Sequence, residues 1–206
     1  QFINMGIAES NMIGVAAGMA MVDLKPVVYT IIPFLTMRPF EQIRVDLCLH
    51  NLPVILVGVG GGLVYDTLGP THHSLEDIAL MRSLPNMNVF TPSDPNEVKK
   101  SFDNALKLKS PSYIRLGKGG EKSTKDLLLE SNFDPQSQIK YSNFNKVISQ
   151  KKSKKLVLTY GPIISNCIKA ISFSKNKVDL ISTLTLKPFN EKKFINLIKD
   201  YNEIIC

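Results

Sequence analysis

Short runs of β-branched and apolar residues alternate with longer amphipathic stretches along most of this chain, and that alternation is the feature that most limits its fold. The runs predict strands at about 27–32, 54–59, 87–91, 112–116, 156–160, 177–182 and 202–206, and the stretches between them predict helices at about 9–22, 38–50, 74–84, 95–108, 162–174 and 190–199. Parallel neighbours in a sheet need a crossover long enough to hold a helix, so strands spaced in this way pair mainly in parallel. The expected class is α/β: mainly parallel β-sheets with helices on both faces, in two consecutive α/β units. The helix near 95 is the best marked, with Asp94 able to cap it, Pro95 suited to its first position and Glu97 completing a capping box.

Residues 118–150 interrupt the alternation. They are rich in Lys, Ser, Asn and Gln, contain Asp134-Pro135, and read as a linker with little regular structure. The expected organisation is a first domain over 1–117, the linker over 118–150 and a second domain over 151–206, with both ends of the chain reading as truncated.

The net charge of +7 points toward nucleic acid until it is mapped along the chain. Residues 1–117 hold 9 Lys+Arg against 10 Asp+Glu, whereas residues 118–206 hold 16 against 8, and all 16 are lysines. With no arginine fork and no interleaved aromatic platform, these lysines describe a solvated face and no nucleic-acid partner is expected. Neither a membrane span nor a basic signal-peptide start is present, and Cys48, Cys167 and Cys206 form no C-x-x-C. A reducing, cytoplasmic setting without membrane attachment is the default expectation.

Four places could carry chemistry. Glu9 is the only acid between Gln1 and Met21 and is surrounded by Gly, Ala, Ile, Val and Met, so a buried carboxyl group there could share a proton with a ligand. The competing reading is an acid at a helix N-terminus answering the macrodipole. Phe34 falls just past a buried strand, where open α/β sheets place ligand contacts, although a lone Phe there is usually core. The glycines from Gly58 to Gly62 open no helix, because Asp66 to Pro70 is turn chemistry, so a dinucleotide fingerprint is a weak match. His72, His73, Glu76 and Asp77 lack a second ligand pair, and adjacent histidines point in different directions, so no metal site is expected.

Taken in order, Met5-Gly-Ile-Ala-Glu9, Phe34-Leu-Thr-Met-Arg-Pro-Phe-Glu-Gln-Ile-Arg44, Gly69-Pro-Thr-His-His73, Leu75-Glu-Asp-Ile-Ala-Leu-Met-Arg82, Leu84-Pro-Asn-Met87 and Pro111-Ser-Tyr-Ile-Arg-Leu-Gly117 closely resemble the pyrimidine-binding domain of transketolases. Leu156-Val-Leu-Thr-Tyr-Gly161 and Leu186-Lys-Pro-Phe189 are similar to part of the transketolase C-terminal domain. The resemblance implies a thiamine-diphosphate-dependent transferase that moves a two-carbon ketol unit between sugar phosphates or related sugars. It gives Glu9 the catalytic carboxyl group beside the cofactor's aminopyrimidine ring, and Phe34 and Ile31 the packing against that ring. It places His72 near the reacting carbonyl and makes Arg115 a cation that holds a sugar phosphate, a task suited to the arginine fork.

Departures from the family pattern bear on substrate. Ile31 stands where many transketolases carry a second aromatic residue, and Gly60 and Leu68 stand where a histidine and an aspartate read sugar hydroxyls, so the usual pentose phosphates are in doubt. The Gly-Asp-Gly and downstream Asn that hold Mg2+ and the diphosphate in this family are missing from the sequence. The resemblance therefore implies a partner, a diphosphate-binding transketolase N-terminal subunit or domain, within a homo- or hetero-oligomer. The alternatives are the β subunit of a 2-oxoacid dehydrogenase, a deoxyxylulose-phosphate-synthase-like enzyme, both disfavoured by Gly69-Pro-Thr-His-His73, and a non-catalytic assembly subunit, disfavoured by Glu9 and His72.

Overall fold

A computed structural model describes residues 1–135 and 143–206. The chain separates into two compact units, one formed by Gln1–Phe90 and Ser101–Gly119, the other by Thr91–Lys100 and Gly120–Cys206.

The first unit begins with α1 (Glu9–Met21), β1 (Val27–Ile31) and the short α2 (Ile32–Thr36), then α3 (Phe40–Gln42), which runs on as a π-helix over Ile43–Leu49. β2 (Ile55–Val59), α4 (Asp77–Ser83) and β3 (Asn88–Phe90) follow, then the Ser101–Lys107 end of α5 (Pro95–Lys107), whose first residues are counted with the second unit, and β4 (Ser112–Arg115). Within this unit the strands lie in the order β1-β2-β4-β3 and pair in parallel throughout. The pleat sorts alternate residues: Ile55, Val57 and Ile114 join Phe102 and Ala105 of α5 in one apolar cluster. Their register neighbours Leu56 and Tyr113, paired across β2 and β4, point to the other side and are fully buried. Ile13, Ala16, Ala17 and Ala20 give α1 its buried face.

The second unit holds α6 (Thr124–Glu130), β5 (Phe144–Ile148), β6 (Lys155–Thr159), α7 (Ile164–Phe173), β7 (Val178–Thr183), β8 (Thr185–Lys187), α8 (Glu191–Ile198) and β9 (Glu203–Ile205). Its sheet runs β5-β7-β6-β9, with β6 parallel to both neighbours and β5 antiparallel to β7. Leu127 and Leu128 of α6 pack with Ile164, Ile168 and Ile171 of α7 on Val147, Ile148 and Leu180. A second cluster sets Phe144, Leu156 and Ile181 against Phe189, Phe194 and Leu197, so helices cover both faces of this sheet.

The segment 118–150 differs from the linker expected. Ser123 accepts the Asp126 N–H at 3.2 Å and caps α6, whose Leu127-Leu128 pair supplies the burial that its lysines hide in the composition. Phe144, Val147 and Ile148 do the same for β5. Residues 136–142 of the expected linker lie outside the described residues. The capping box at α5 forms with one change of partner: Asp94 accepts the Glu97 N–H at 2.8 Å, but Glu97 accepts from Ser93 N–H, one residue earlier than the usual reciprocal bond.

Candidate active site

β1, β2 and β4 end side by side, with Ile31 in register with Val59 and Gly58 with Arg115. Residues just past these ends therefore gather at the C-terminal edge of a parallel sheet, the usual ligand edge of such sheets. Pro33, in the first turn of α2, turns the chain directly out of β1, and that turn sets Phe34, half-buried, at the edge.

Glu9 opens α1 and is 9% exposed. The apolar surroundings expected for it hold only along its own segment, because Arg38 arrives from a turn 29 residues later. One guanidinium nitrogen of Arg38, Nη1, donates to both carboxylate oxygens of Glu9, at 3.2 and 3.1 Å. The same guanidinium lies over the Phe34 ring, with its carbon 4.0 Å from the ring centroid. Sequence reasoning gave Arg38 no role. Its only signal was a cation close to an aromatic in Phe34-Leu-Thr-Met-Arg38, and only the tertiary fold brings Glu9 to it.

His72 joins this group. Its ring meets Phe34 edge-on at 5.1 Å and Tyr65 edge-on at 6.5 Å, while its Nδ1 stands 3.0 Å from Thr71 Oγ1. His73 turns away, with Nε2 3.4 Å from the Asp66 carbonyl, as expected of adjacent histidines. Ile31 is the last residue of β1 and is half-buried. Glu9, Phe34 and His72 are thus linked through Arg38 and ring contacts.

Arg115 is held differently. Its Nε donates to Asp77 Oδ2 at 2.8 Å and its Nη2 to the Ser74 carbonyl at 3.2 Å, and its side chain is 12% exposed. The Tyr113 hydroxyl donates to the same Asp77 oxygen at 2.7 Å. Burial, reinforced by the Asp77 charge, pushes the Tyr113 phenol well above its ordinary range, so it remains a donor. Gly61 leaves room for this arginine: a Cβ there would sit 2.5 Å from Nη1. Lys118, exposed and three residues further on, carries its Nζ 5.7 Å from the Tyr65 ring centroid.

The loop Gly60 to Gly62 is pinned by buried Ser74, whose hydroxyl donates to the Gly60 carbonyl at 2.8 Å. Only a 3-10 turn over Asp66–Leu68 follows, so no helix presents its N-terminus to a dinucleotide. At Gly60, with φ +92°, a Cβ would lie 2.3 Å from the Tyr65 ring, so that ring fills the volume a side chain at this position would need.

The family described as "Transketolase, pyrimidine binding domain" matches residues 1–120, and the chain belongs to that family. Among its relatives is a subunit of the apulose-4-phosphate transketolase of Actinobacillus succinogenes, 32% identical over 209 residues that cover 100% of this chain and 64% of that protein. Another is 1-deoxy-D-xylulose-5-phosphate synthase of Clostridium perfringens, 30% identical over 209 residues, covering 100% of this chain and 32% of that one. Of solved structures, one described as a split gene transketolase, inactive beta4 tetramer, superposes with a TM-score of 0.76 at 28% identity, covering 98% of this chain and 63% of the other. The chain spans less than two thirds of the length of each of these proteins.

Proposed function

We propose that this chain supplies the pyrimidine-activating half of a thiamine-diphosphate-dependent enzyme that transfers a two-carbon ketol unit between sugar phosphates or related sugars. The observation that carries the reading is the convergence of the Glu9 carboxylate and the Phe34 ring on one flat, nitrogen-rich cation. A site that seats a guanidinium there has the shape and the acceptor for an aminopyrimidine. Bound thiamine diphosphate supplies a nucleophilic carbon that adds to a ketose carbonyl and an electron sink for carbon–carbon cleavage. Glu9 holds and exchanges a proton with the ring, Phe34 and Ile31 pack on it, and His72 faces the reacting carbonyl from beyond Phe34. Arg115, anchored by Asp77, and the exposed Lys118 carry positive charge for the sugar's phosphate.

Among the described residues, no group of three or more His, Cys, Asp or Glu could hold a metal ion. We assign Mg2+ and the diphosphate to a partner subunit or domain, a reading supported by a relative that is itself one subunit of a transketolase. Residues 1–117 are assigned to the pyrimidine-binding domain and 151–206 to part of the transketolase C-terminal domain. No helix among the described residues is long and apolar enough to cross a membrane.

The test is reconstitution with a diphosphate-binding subunit. Glu9→Gln should slow exchange of the thiazolium carbon's proton with deuterated solvent by roughly a hundredfold or more, the scale of a lost acid–base contribution. His72→Ala should leave that exchange nearly intact and impair ketose turnover instead. Unchanged exchange in Glu9→Gln would overturn the assignment. The match of the whole of this chain to about a third of 1-deoxy-D-xylulose-5-phosphate synthase, 32% of its length, supports a second reading. It would be favoured by appearance of 1-deoxyxylulose 5-phosphate in the reconstituted assay.

A further inference from the structure

We propose that Arg38 is a built-in stand-in for the cofactor's pyrimidine ring, occupying the space between Glu9 and Phe34 and leaving it when the ring binds. The inference rests on the cofactor-site reading above. A ring that touches both the Glu9 carboxylate and the Phe34 face must lie between them. The Arg38 guanidinium is there already, its carbon 4.0 Å from the Phe34 centroid and its Nη1 bonded to both Glu9 oxygens.

The two occupants share chemistry. Each is flat, carries nitrogens on an sp2 carbon, offers a face to an aromatic ring and donates N–H to a carboxylate. They cannot share the space, because the acceptor and the ring face that one needs are those the other uses. Arg38 can withdraw without disturbing the core: its side chain is 48% exposed and it lies in the turn between α2 and α3. Glu9, 10% exposed at its side chain, cannot follow it. The carboxylate is thus kept paired until the ring replaces the arginine.

The probe is 4-amino-5-hydroxymethyl-2-methylpyrimidine, the cofactor's ring portion, titrated into the isotope-labelled chain and followed by NMR. In the wild type, the Arg38 Nε–H and Phe34 ring signals should shift together as the probe saturates, reporting departure of the guanidinium. Arg38→Met, which keeps the stem and removes the plane and charge, should bind roughly threefold to tenfold more tightly, the scale of a partly exposed ion pair and cation–π contact. Arg38→Lys, which keeps the charge but loses the plane, should fall between. Equal or weaker binding by Arg38→Met, with wild-type spectra elsewhere, overturns the stand-in. Glu9→Gln and Phe34→Leu separate this outcome from failure of the site itself. If neither weakens the probe, or no variant binds it, the cofactor-site reading fails and takes the inference with it.

Discussion

Tyr113 and Arg115 share a single acceptor, Asp77 Oδ2, at 2.7 and 2.8 Å. The two donors are neighbours on the fully buried face and the half-buried end of β4, and Asp77 is 0% exposed at the start of α4. Removing the carboxylate leaves a guanidinium with little water and a phenol with no partner. Asp77→Ala should destabilise the chain by about 3–5 kcal/mol, the range for breaking a buried pair, and Tyr113→Phe by about 1–2 kcal/mol. Urea unfolding at neutral pH measures both, and a loss under about 1 kcal/mol for Asp77→Ala would show the network to be incidental.

Gly60 has no room for a side chain. Its φ is +92° and a Cβ would meet the Tyr65 ring at 2.3 Å, so Gly60→Ala should cost about 2–4 kcal/mol from backbone strain and overpacking together. Tyr65→Ala in the same chain removes the steric part and leaves the strain. The double variant should therefore be more stable than the sum of the two single losses, a coupling visible in a double-mutant cycle. Strict additivity would mean that the ring moves aside freely.

The second unit carries a pH signature at Glu97. Burial raises its carboxyl pKa above the ordinary 4.5, against the opposing bond from the Ser93 N–H. The native state then binds a proton more tightly than the unfolded chain. The sign is fixed: stability from this group is fully present below about 4.5 and is lost as pH rises through the raised folded value. The stability of wild type relative to Glu97→Gln should grow as pH falls from about 7 toward about 4.5, read from denaturant midpoints at each pH. A difference that shrinks on acidification contradicts the assignment.

Binding of the whole cofactor tests the proposed partner. If a partner subunit or domain holds the diphosphate and Mg2+, as proposed, this chain alone should take up thiamine diphosphate weakly and with little dependence on Mg2+. Isothermal calorimetry with and without Mg2+ decides. Tight, Mg2+-dependent binding to the single chain contradicts the split site.

Much of this architecture was legible because it is written locally. The Asp94, Pro95 and Glu97 signals marked α5, and the β-branched runs located β1, β2 and β4 to within a residue or two. What escaped depended on distance or dilution. α6 was hidden because Leu127 and Leu128 sit among lysines, serines and acids, so composition outweighed a two-residue apolar face. The stretch 38–50 read as one helix, but hydrogen bonding changes to π geometry at Ile43, a difference that periodicity over so few residues cannot register. Glu9 was found as an isolated acid, while its partner Arg38 was not, since pairing across 29 residues is a tertiary fact. Arg115 was visible as a cation at a strand end, but not that Asp77 and Ser74 would hold it.

The parallel order β1-β2-β4-β3 also has a kinetic consequence. No two of these neighbours are joined by a hairpin, and β2 reaches β4 only after the chain has passed through α4, β3 and α5. Contacts so distant in sequence form late and cooperatively, because each requires closing a long loop before it is rewarded. Phe34, Tyr65 and His72 stand at the finished edge of that sheet, so their mutual ring contacts report completion of the fold. In a refolding experiment the aromatic signals of these three rings should return with the last phase, after the helices have regained their far-ultraviolet dichroism.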